Sequence, residues 1–307
     1  QVEPVQEALL IAAAGTGCGD LSGRICGLDG SGPAAGVTVY VNTPQGRQSA
    51  TTNAAGDYYL TCIPGGTYQV TAESGSWSTQ FSAMITDGRE TSVSGQNCLD
   101  PNSAEVAVVW GEWDQIQNIL TTLNVPHTFY GENDQADLLE DLNELMRYDV
   151  VFLNCGFDEL LVTSGTGLMN LRTFVAMGGS VYASDWAYDA IEIAWPSFVD
   201  YYQNDAVQDN AQSAGNFNGV VNIVEPSLRR AIGRQGVTIS SCCTGVEAAG
   251  PGTTVYLEGD RYNDGGQHPF FVSFVPAAGA GTVMYTDFHN TGQRDIEAIF
   301  RWLITRL

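Results

Sequence analysis

The sequence predicts two domains, an all-β sandwich followed by a three-layer α/β domain whose sheet is mostly parallel. Three observations carry this. From 19 to 99, short β-rich runs recur about every 8–12 residues between turn-forming combinations, the pattern of a sandwich. At Asp100-Pro101-Asn102-Ser103 a short polar hinge interrupts that pattern. Beyond it strand and helix signals alternate, and the strands are apolar on both faces, as in a parallel sheet covered by helices. The 307 residues suit two domains of roughly 100–200 residues each. The division is an N-terminal extension at 1–18, the sandwich at 19–99, a linker at 100–104 and the α/β domain at 105–307.

In the first domain the expected strands are Leu21–Cys26, Val37–Asn42, Ser49–Thr52, Asp57–Cys62, Thr67–Glu73, Ser76–Phe81 and Arg89–Val93. Asp29-Gly30, Pro44-Gln45-Gly46, Ala55-Gly56-Asp57 and Pro64-Gly65-Gly66 supply the turns between them, because glycine and Asp/Asn tolerate turn dihedrals and proline presets one. Tyr40, Tyr58, Tyr59, Leu60, Ile63, Tyr68 and Val70 offer apolar mass to the inner faces.

The second domain opens on the buried-strand run Glu105–Gly111 and a helix with Trp113, Ile116, Ile119, Leu120 and Leu123 on one face. A short strand at Thr128–Tyr130 and a helix over Gln135–Met146 follow, the latter with Leu138, Leu139, Leu142 and Leu145 at helical spacing. Asp149–Gly156 is another buried strand, and a helix near Leu168–Met177 leads through Gly178-Gly179 into the strand Ser180–Ala183. Further strands are expected at Gly219–Val224, Val237–Ser240, Thr253–Leu257, Phe270–Val275 and Thr282–Asp287, before a closing helix at Arg294–Leu307.

Composition excludes several functions. There are 12 basic against 35 acidic residues, a formal net charge of −23. All 12 basic residues are arginine, which removes Schiff bases, pyridoxal anchoring, the P-loop lysine and Lys–Asn isopeptides. Binding a polyanion needs clustered cations that displace counterions, so neither nucleic acid nor an anionic membrane surface is an expected partner. Leu9–Ala14 is apolar but far shorter than the roughly 20 residues of a transmembrane helix.

Seven cysteines, Cys18, Cys26, Cys62, Cys98, Cys155, Cys242 and Cys243, show no zinc-type spacing, so disulfides in an oxidising compartment are expected. We expect Cys18 to pair with Cys98 and Cys26 with Cys62, one of the three pairings four cysteines allow. Cys155 lies in an apolar run and reads as a buried free thiol. The adjacent Cys242-Cys243 suits a vicinal disulfide, bonds to other cysteines or a link between subunits. The start at Gln1-Val2-Glu3-Pro4 reads as a mature end after removal of a signal peptide. Secretion or display at the cell surface is therefore expected, extracellular or periplasmic.

Gly23-Arg24-Ile25-Cys26, Ala35–Tyr40, Asn53–Leu60 and Ile63–Tyr68 together resemble the carboxypeptidase regulatory-like domain. The resemblance implies a seven-stranded transthyretin-like (prealbumin-like) sandwich, an interaction module with no chemistry of its own. In the second domain Tyr148–Gly156, Gly178–Trp186 and Val283–His289 resemble the class I glutamine amidotransferase-like superfamily, which includes the ThuA-like proteins. That resemblance implies a flavodoxin-like fold. It also implies a nucleophilic cysteine on the sharp turn after Ser180–Ala183, and a later His-x-Glu. The turn here is Ser184-Asp185-Trp186, with no cysteine, and His289 is followed by Asn290-Thr291 in place of the glutamate. Glutaminase activity is not expected.

The same sheet edge remains the place for a ligand, because open α/β sheets bind at the carboxyl ends of their strands. Cys155, Ser184, Asp185, Asp287 and His289 would gather there. A structural reading has Asp185 capping a helix that begins at Trp186. A hydrolase reading has His289 as base with Ser184, Asp185 or Cys155. His127, His268 and His289 show no zinc spacing. Asp260, Asn263 and Asp264 form an oxygen-rich, glycine-flanked stretch, a candidate Ca²⁺ loop, and Asp200, Asp205 and Asp209 rate no better. No other cofactor is expected. Trp77, Trp113, Trp186 and Trp195 leave a glycan-binding reading open.

The reading that fits these observations together is a secreted or surface-displayed non-enzymatic binding or structural protein, its partners being proteins, further copies of itself or a small molecule. In an extracellular homo-oligomer or filament, the apolar segment holding Val5, Ala8, Leu9, Leu10 and Ile11 would add a strand to a neighbour's sheet edge.

Overall fold

The computed structural model describes residues 17–30, 32–95, 97–203, 210–290 and 294–307. The assembly residues Val5, Ala8, Leu9, Leu10 and Ile11, and Asp205 and Asp209, lie outside the described residues. Eight strands form the first part: β1 (Cys18–Cys26), β2 (Thr38–Thr43), β3 (Gly46–Thr51), β4 (Asp57–Pro64), β5 (Gly66–Ser74), β6 (Trp77–Ile85), β7 (Glu90–Ser92) and β8 (Asn97–Cys98). One sheet runs β4-β1-β7, with β8 also on β1, and the other runs β3-β2-β5-β6. Alternation builds the core between them, as Val39 and Val41 in β2 or Tyr58 and Leu60 in β4 point inward while their neighbours face out.

The disulfides are Cys18–Cys62 and Cys26–Cys98, which corrects the pairing expected from the sequence. Register decides it. β1 lies antiparallel to β4, with Cys18 opposite Pro64, and parallel to β8, with Cys26 opposite Cys98. Nine residues of strand hold Cys18 and Cys26 about 27 Å apart, so each thiol meets only the partner at its own end. Cys155, Cys242 and Cys243 are free thiols, Cys155 being buried.

The second part contains β9 (Val106–Val109), α1 (Ile116–Thr122), β10 (Thr128–Tyr130), α2 (Gln135–Leu139), α3 (Leu142–Leu145), β11 (Val150–Leu153), α4 (Leu160–Thr163), α5 (Gly165–Ala176), β12 (Ser180–Ser184) and α6 (Tyr188–Ala194). These are followed by β13 (Val199–Tyr201), β14 (Phe217–Ile223), α7 (Pro226–Ile232), β15 (Gly236–Ser241), β16 (Val246–Ala249), β17 (Thr254–Gly259), β18 (His268–Phe274), β19 (Val283–Thr286) and α8 (Arg294–Ile304). A nine-stranded sheet takes the order β10-β9-β11-β12-β19-β18-β17-β14-β15, and β13 pairs with β16 apart from it. The first five strands of that order are mutually parallel; from β19 onward each pair is antiparallel.

Both faces of the parallel part are covered. Val150 and Phe152 of β11 pack on the side of α1, α7 and α8, whereas Val151 and Leu153 pack on the side of α2 to α6. This three-layer α/β arrangement is the flavodoxin-like architecture expected. The helix expected over Gln135–Met146 is two helices. Asp141 ends the first by accepting from Asn143 N and Glu144 N, which caps α3. Asp141→Ala is expected to cost about 1 kcal/mol, read as a lower urea midpoint. The helices α4 and α7 and the strands β13 and β16 were not foreseen, although Glu225 as cap, Pro226 at the first turn and Gly233 at φ 72° are the ordinary start and stop signals of α7.

The two parts share one core. Trp77 of β6 is fully buried, and its indole Nε1 donates to Ile304 O at 2.6 Å. Ser74 Oγ donates to Thr305 O at 2.6 Å, Arg306 donates to Gly36 O and Ala35 O, and Arg301 pairs with Asp29 at 2.9 Å. Gly75 sits at φ 58°, so close to Leu307 O that a Cβ there would overlap it; only glycine fits both demands. No helix among the described residues is long and apolar enough to cross a membrane.

Candidate functional site

The chemistry-bearing side chains converge beyond the carboxyl ends of the parallel strands. Asp114 follows β9, Cys155 follows β11, Asp185 follows β12 directly and His289 follows β19. β15 runs in the same direction as β12, since four antiparallel steps separate it from β19. Its end therefore brings Cys242 to the same edge, where Ser241 Oγ reaches Asp287 Oδ1 at 3.3 Å.

The residue on the sharp turn is Asp185, with φ 45°. A left-handed dihedral at a non-glycine residue costs about 1–3 kcal/mol and persists only where surroundings enforce it. Here Tyr285 OH donates to Asp185 O at 3.1 Å, and the whole residue is buried. Ser184, by contrast, is the last residue of β12 and points inward. Its Oγ donates to Asp114 Oδ2 and accepts from Cys155 N at 3.2 Å. The expected helix-capping role of Asp185 is corrected: no side-chain cap hydrogen bond starts that turn, which is a 3-10 segment over Asp185–Ala187 running into α6.

His289 stands between two buried carboxylates. Its Nδ1 is 3.4 Å from Asp114 Oδ1 and its Nε2 is 3.6 Å from Asp185 Oδ2. Asn290 N donates to Asp114 Oδ1 at 2.9 Å, so both oxygens of Asp114 are held. Burial opposes protonation of His289, and the Asp114 contact with the charges of Asp185, Asp114 and Asp287 outweighs it, raising its pKa. Asp185 is pushed up to about 7, by burial first and by the charge of Asp114, against His289. Asp287 is pushed up to about 8 by burial and by Asp185, although Arg261 Nε lies 3.2 Å away and opposes this. Thr244 Oγ1 is 2.7 Å from Asp287 Oδ1 and 3.3 Å from Asp185 Oδ1. One hydroxyl has one proton to give, and the shorter contact takes it. Burial raises the thiol of Cys155 well above its ordinary value, and it raises that of Cys242 to about 12 together with the contact from Cys243.

Cys155, Asp185, Cys242 and His289 line a cavity of about 210 Å³ whose other walls are Trp113, Trp186 and Cys243. The two indoles meet edge to face at 6.3 Å, and Trp186 Nε1 is buried without an acceptor among the described residues. Trp77 and Trp195 are buried core residues that do not line it, so two of those four tryptophans border the cavity. A larger depression of about 760 Å³ on the sandwich, bordered by Ser22, Arg24, Asp57 and Tyr59, is open and holds the exposed Arg24–Asp57 pair.

The calcium candidates do not converge on a vacant centre. Asp260 accepts from Asp264 N and Gly265 N with its two oxygens, and Asp264 accepts from Gly266 N at 2.7 Å and faces His268. These carboxylates are turned onto the backbone of their own loop. Asp114, Thr244 and Arg261 were missed by sequence reasoning, since nothing in the spacing of an isolated Asp in a polar loop marks it as the partner of a histidine 175 residues later.

Residues 20–95 match the model of the carboxypeptidase regulatory-like domain. No curated protein matches the chain. Among solved structures, a ThuA-like protein from Bacteroides uniformis is 9% identical, with a TM-score of 0.43, over 66% of this chain and 90% of that one. A glutamine amidotransferase from Thermotoga maritima is 11% identical, with a TM-score of 0.42, over 65% and 80%. The Bacillus anthracis TIE protein is 16% identical, with a TM-score of 0.24, over 30% of this chain and 19% of its own length. The chain thus spans about a fifth of that last protein. The carboxypeptidase regulatory-like domain accounts for β1 to β7, and it contributes no residue to the cavity beside His289.

Proposed function

We propose that this protein works in an oxidising compartment outside the cytoplasm as a binding protein. In this reading the carboxypeptidase regulatory-like domain attaches or spaces it, with a protein partner or with further copies of itself. The α/β domain holds a ligand in the cavity bounded by Trp113, Trp186, Asp185 and His289. One observation carries the binding role: the turn that would present a thiol nucleophile presents a buried carboxylate, Asp185. Of the thiols lining the cavity, Cys155 is buried, and both it and Cys242, the one beside His289, have raised pKa values, which makes them poor nucleophiles. The two disulfides support the compartment.

A second reading, a hydrolase, is favoured by the placement of His289 between Asp185 and Asp114. There His289 would take a proton from water as Asp114 orients the ring. The two readings part in one screen. Offered glutamine and ester, amide and glycoside probes, the protein is expected to turn over none faster than His289→Ala does. A rate that drops about 100-fold or more in His289→Ala, the ordinary weight of a general base, replaces binding by catalysis.

A further inference from the structure

We propose that the cavity is a site for a thiophilic divalent cation of the zinc class, with Cys155, Asp185, His289 and Cys242 as its ligands. This deepens the binding reading, on whose cavity it rests, by naming the class of ligand. One donor atom from each of Cys155, Asp185 and His289 lies within 4.8 Å of the other two. Cys242 Sγ is 3.7 Å from His289 Nε2 and lines the same cavity. Ligands at about 2.0–2.3 Å from a tetrahedral ion stand roughly 3.3–3.8 Å apart, so Cys155, Asp185 and His289 need a contraction of only about 1 Å, and Cys242 already stands at such a distance from His289.

A second, independent feature points into the centre. Asp185 Oδ1 faces Thr244, whereas Oδ2 of this fully buried side chain has no hydrogen-bond partner among the described residues. A buried carboxylate oxygen left without a donor is expensive, and a cation supplies what the surrounding side chains do not. Two sulfurs, one imidazole nitrogen and one carboxylate oxygen make a donor set that selects zinc over calcium or magnesium.

The surroundings are those of a metal-bound histidine. With Nε2 turned to the centre, Nδ1 faces Asp114, and Asp114 is itself fixed by Ser184 Oγ and Asn290 N. Such a carboxylate–histidine arrangement fixes the tautomer and strengthens the ligand. Binding displaces to solvent the protons of two thiols and any proton on His289 Nε2. Three thiols around one cavity, in a chain whose other four cysteines are oxidised, also have in a bound ion a reason to stay reduced. Sequence spacing gave no sign of this, because the four ligands follow four different strands.

The test uses the full chain, reduced at the free thiols and stripped with a chelator, then titrated with Zn²⁺ and with Co²⁺. One equivalent of each is expected, with a thiolate-to-cobalt charge-transfer band, and Zn²⁺ should shield Cys155 and Cys242 from a thiol reagent. Cys155→Ser and Asp185→Asn, checked for native near-ultraviolet circular dichroism, are expected to weaken zinc binding at least about 100-fold, more than loss of an outer partner does. Asp260→Asn, in the loop whose carboxylates bond their own backbone, should leave it unchanged. Should either variant misfold, the charge-transfer band and the thiol shielding of the parent chain decide alone. The proposal is overturned by a parent chain that retains no ion, by binding that both folded variants preserve, or by a Cys242–Cys243 disulfide in the isolated protein. A failed titration leaves the hydrolysis screen untouched, so loss of the cation and loss of the binding reading are read separately.

Discussion

Trp77→Ala is expected to lower the unfolding free energy by about 3–5 kcal/mol. The side chain is fully buried, the largest among such residues, and it sits where the sandwich meets α8. Truncation removes the ring and opens a cavity walled by both parts of the chain, so neither part alone can collapse to fill it. It also leaves Ile304 O without the indole donor now 2.6 Å away. Trp77→Phe retains most of the apolar mass and loses the donor, so it should cost less, with a remainder of about 1 kcal/mol for the hydrogen bond. The measurement is equilibrium urea unfolding followed by both near- and far-ultraviolet signals. Parent chain and Trp77→Phe should unfold in one transition, and Trp77→Ala in two, because the shared core would no longer couple the sheets. A loss below 1 kcal/mol with a single transition would show that α8, not the indole, joins them.

Removing the Cys26–Cys98 bridge by a double substitution to alanine is expected to cost about 4 kcal/mol, the chain-entropy value for a closed loop of this size, given the 72-residue separation. The second bridge closes 44 residues, and the logarithm in that relation makes its contribution smaller by only about 0.4 kcal/mol. Position separates them more than loop length does. Cys98 ends the two-residue β8, which holds to β1 through a short parallel ladder, so the bridge is the main restraint there. Cys62 lies inside the eight-residue β4, whose ladder to β1 persists without it. Thermal unfolding of the two double variants should therefore rank Cys26→Ala/Cys98→Ala below Cys18→Ala/Cys62→Ala. The opposite rank would place the sandwich's weak point in the β1–β4 ladder.

Much of the architecture could be read from the residues. Alternating apolar positions in β2, β4 and β5 with glycine turns between them gave the sandwich strands to within a few residues, and the doubly apolar runs at β9, β11 and β12 gave the parallel sheet. Both signals are local. The disulfide pairing was not legible, because it depends on which strand flanks β1 on each side, and the positions of four thiols along the chain carry no record of that. Asp141 hid a helix break, since the leucines on either side of it keep helical spacing through the interruption. At the edge of the sheet, Cys155, Asp185 and His289 were nameable from the strands that precede them. Which residue of Ser184-Asp185-Trp186 takes the turn was not, because that is set by the inward-facing phase of β12 and by the hydroxyl of Tyr285. Asp114 and Cys242 escaped for a plainer reason: each reaches the histidine across the fold, and the periodicity of its own segment says nothing of that distant partner.

The hydrogen bond from Trp77 to Ile304 joins positions 227 apart in the chain. At a synthesis rate of about 5–20 residues per second, the sandwich emerges some 10–45 s before the helix that covers its indole exists. During that interval an aromatic side chain and its unoccupied surroundings stand open to solvent. A nascent chain of this design is most vulnerable to wrong association early, and attaching a substitute apolar helix to the isolated sandwich is the direct way to relieve it.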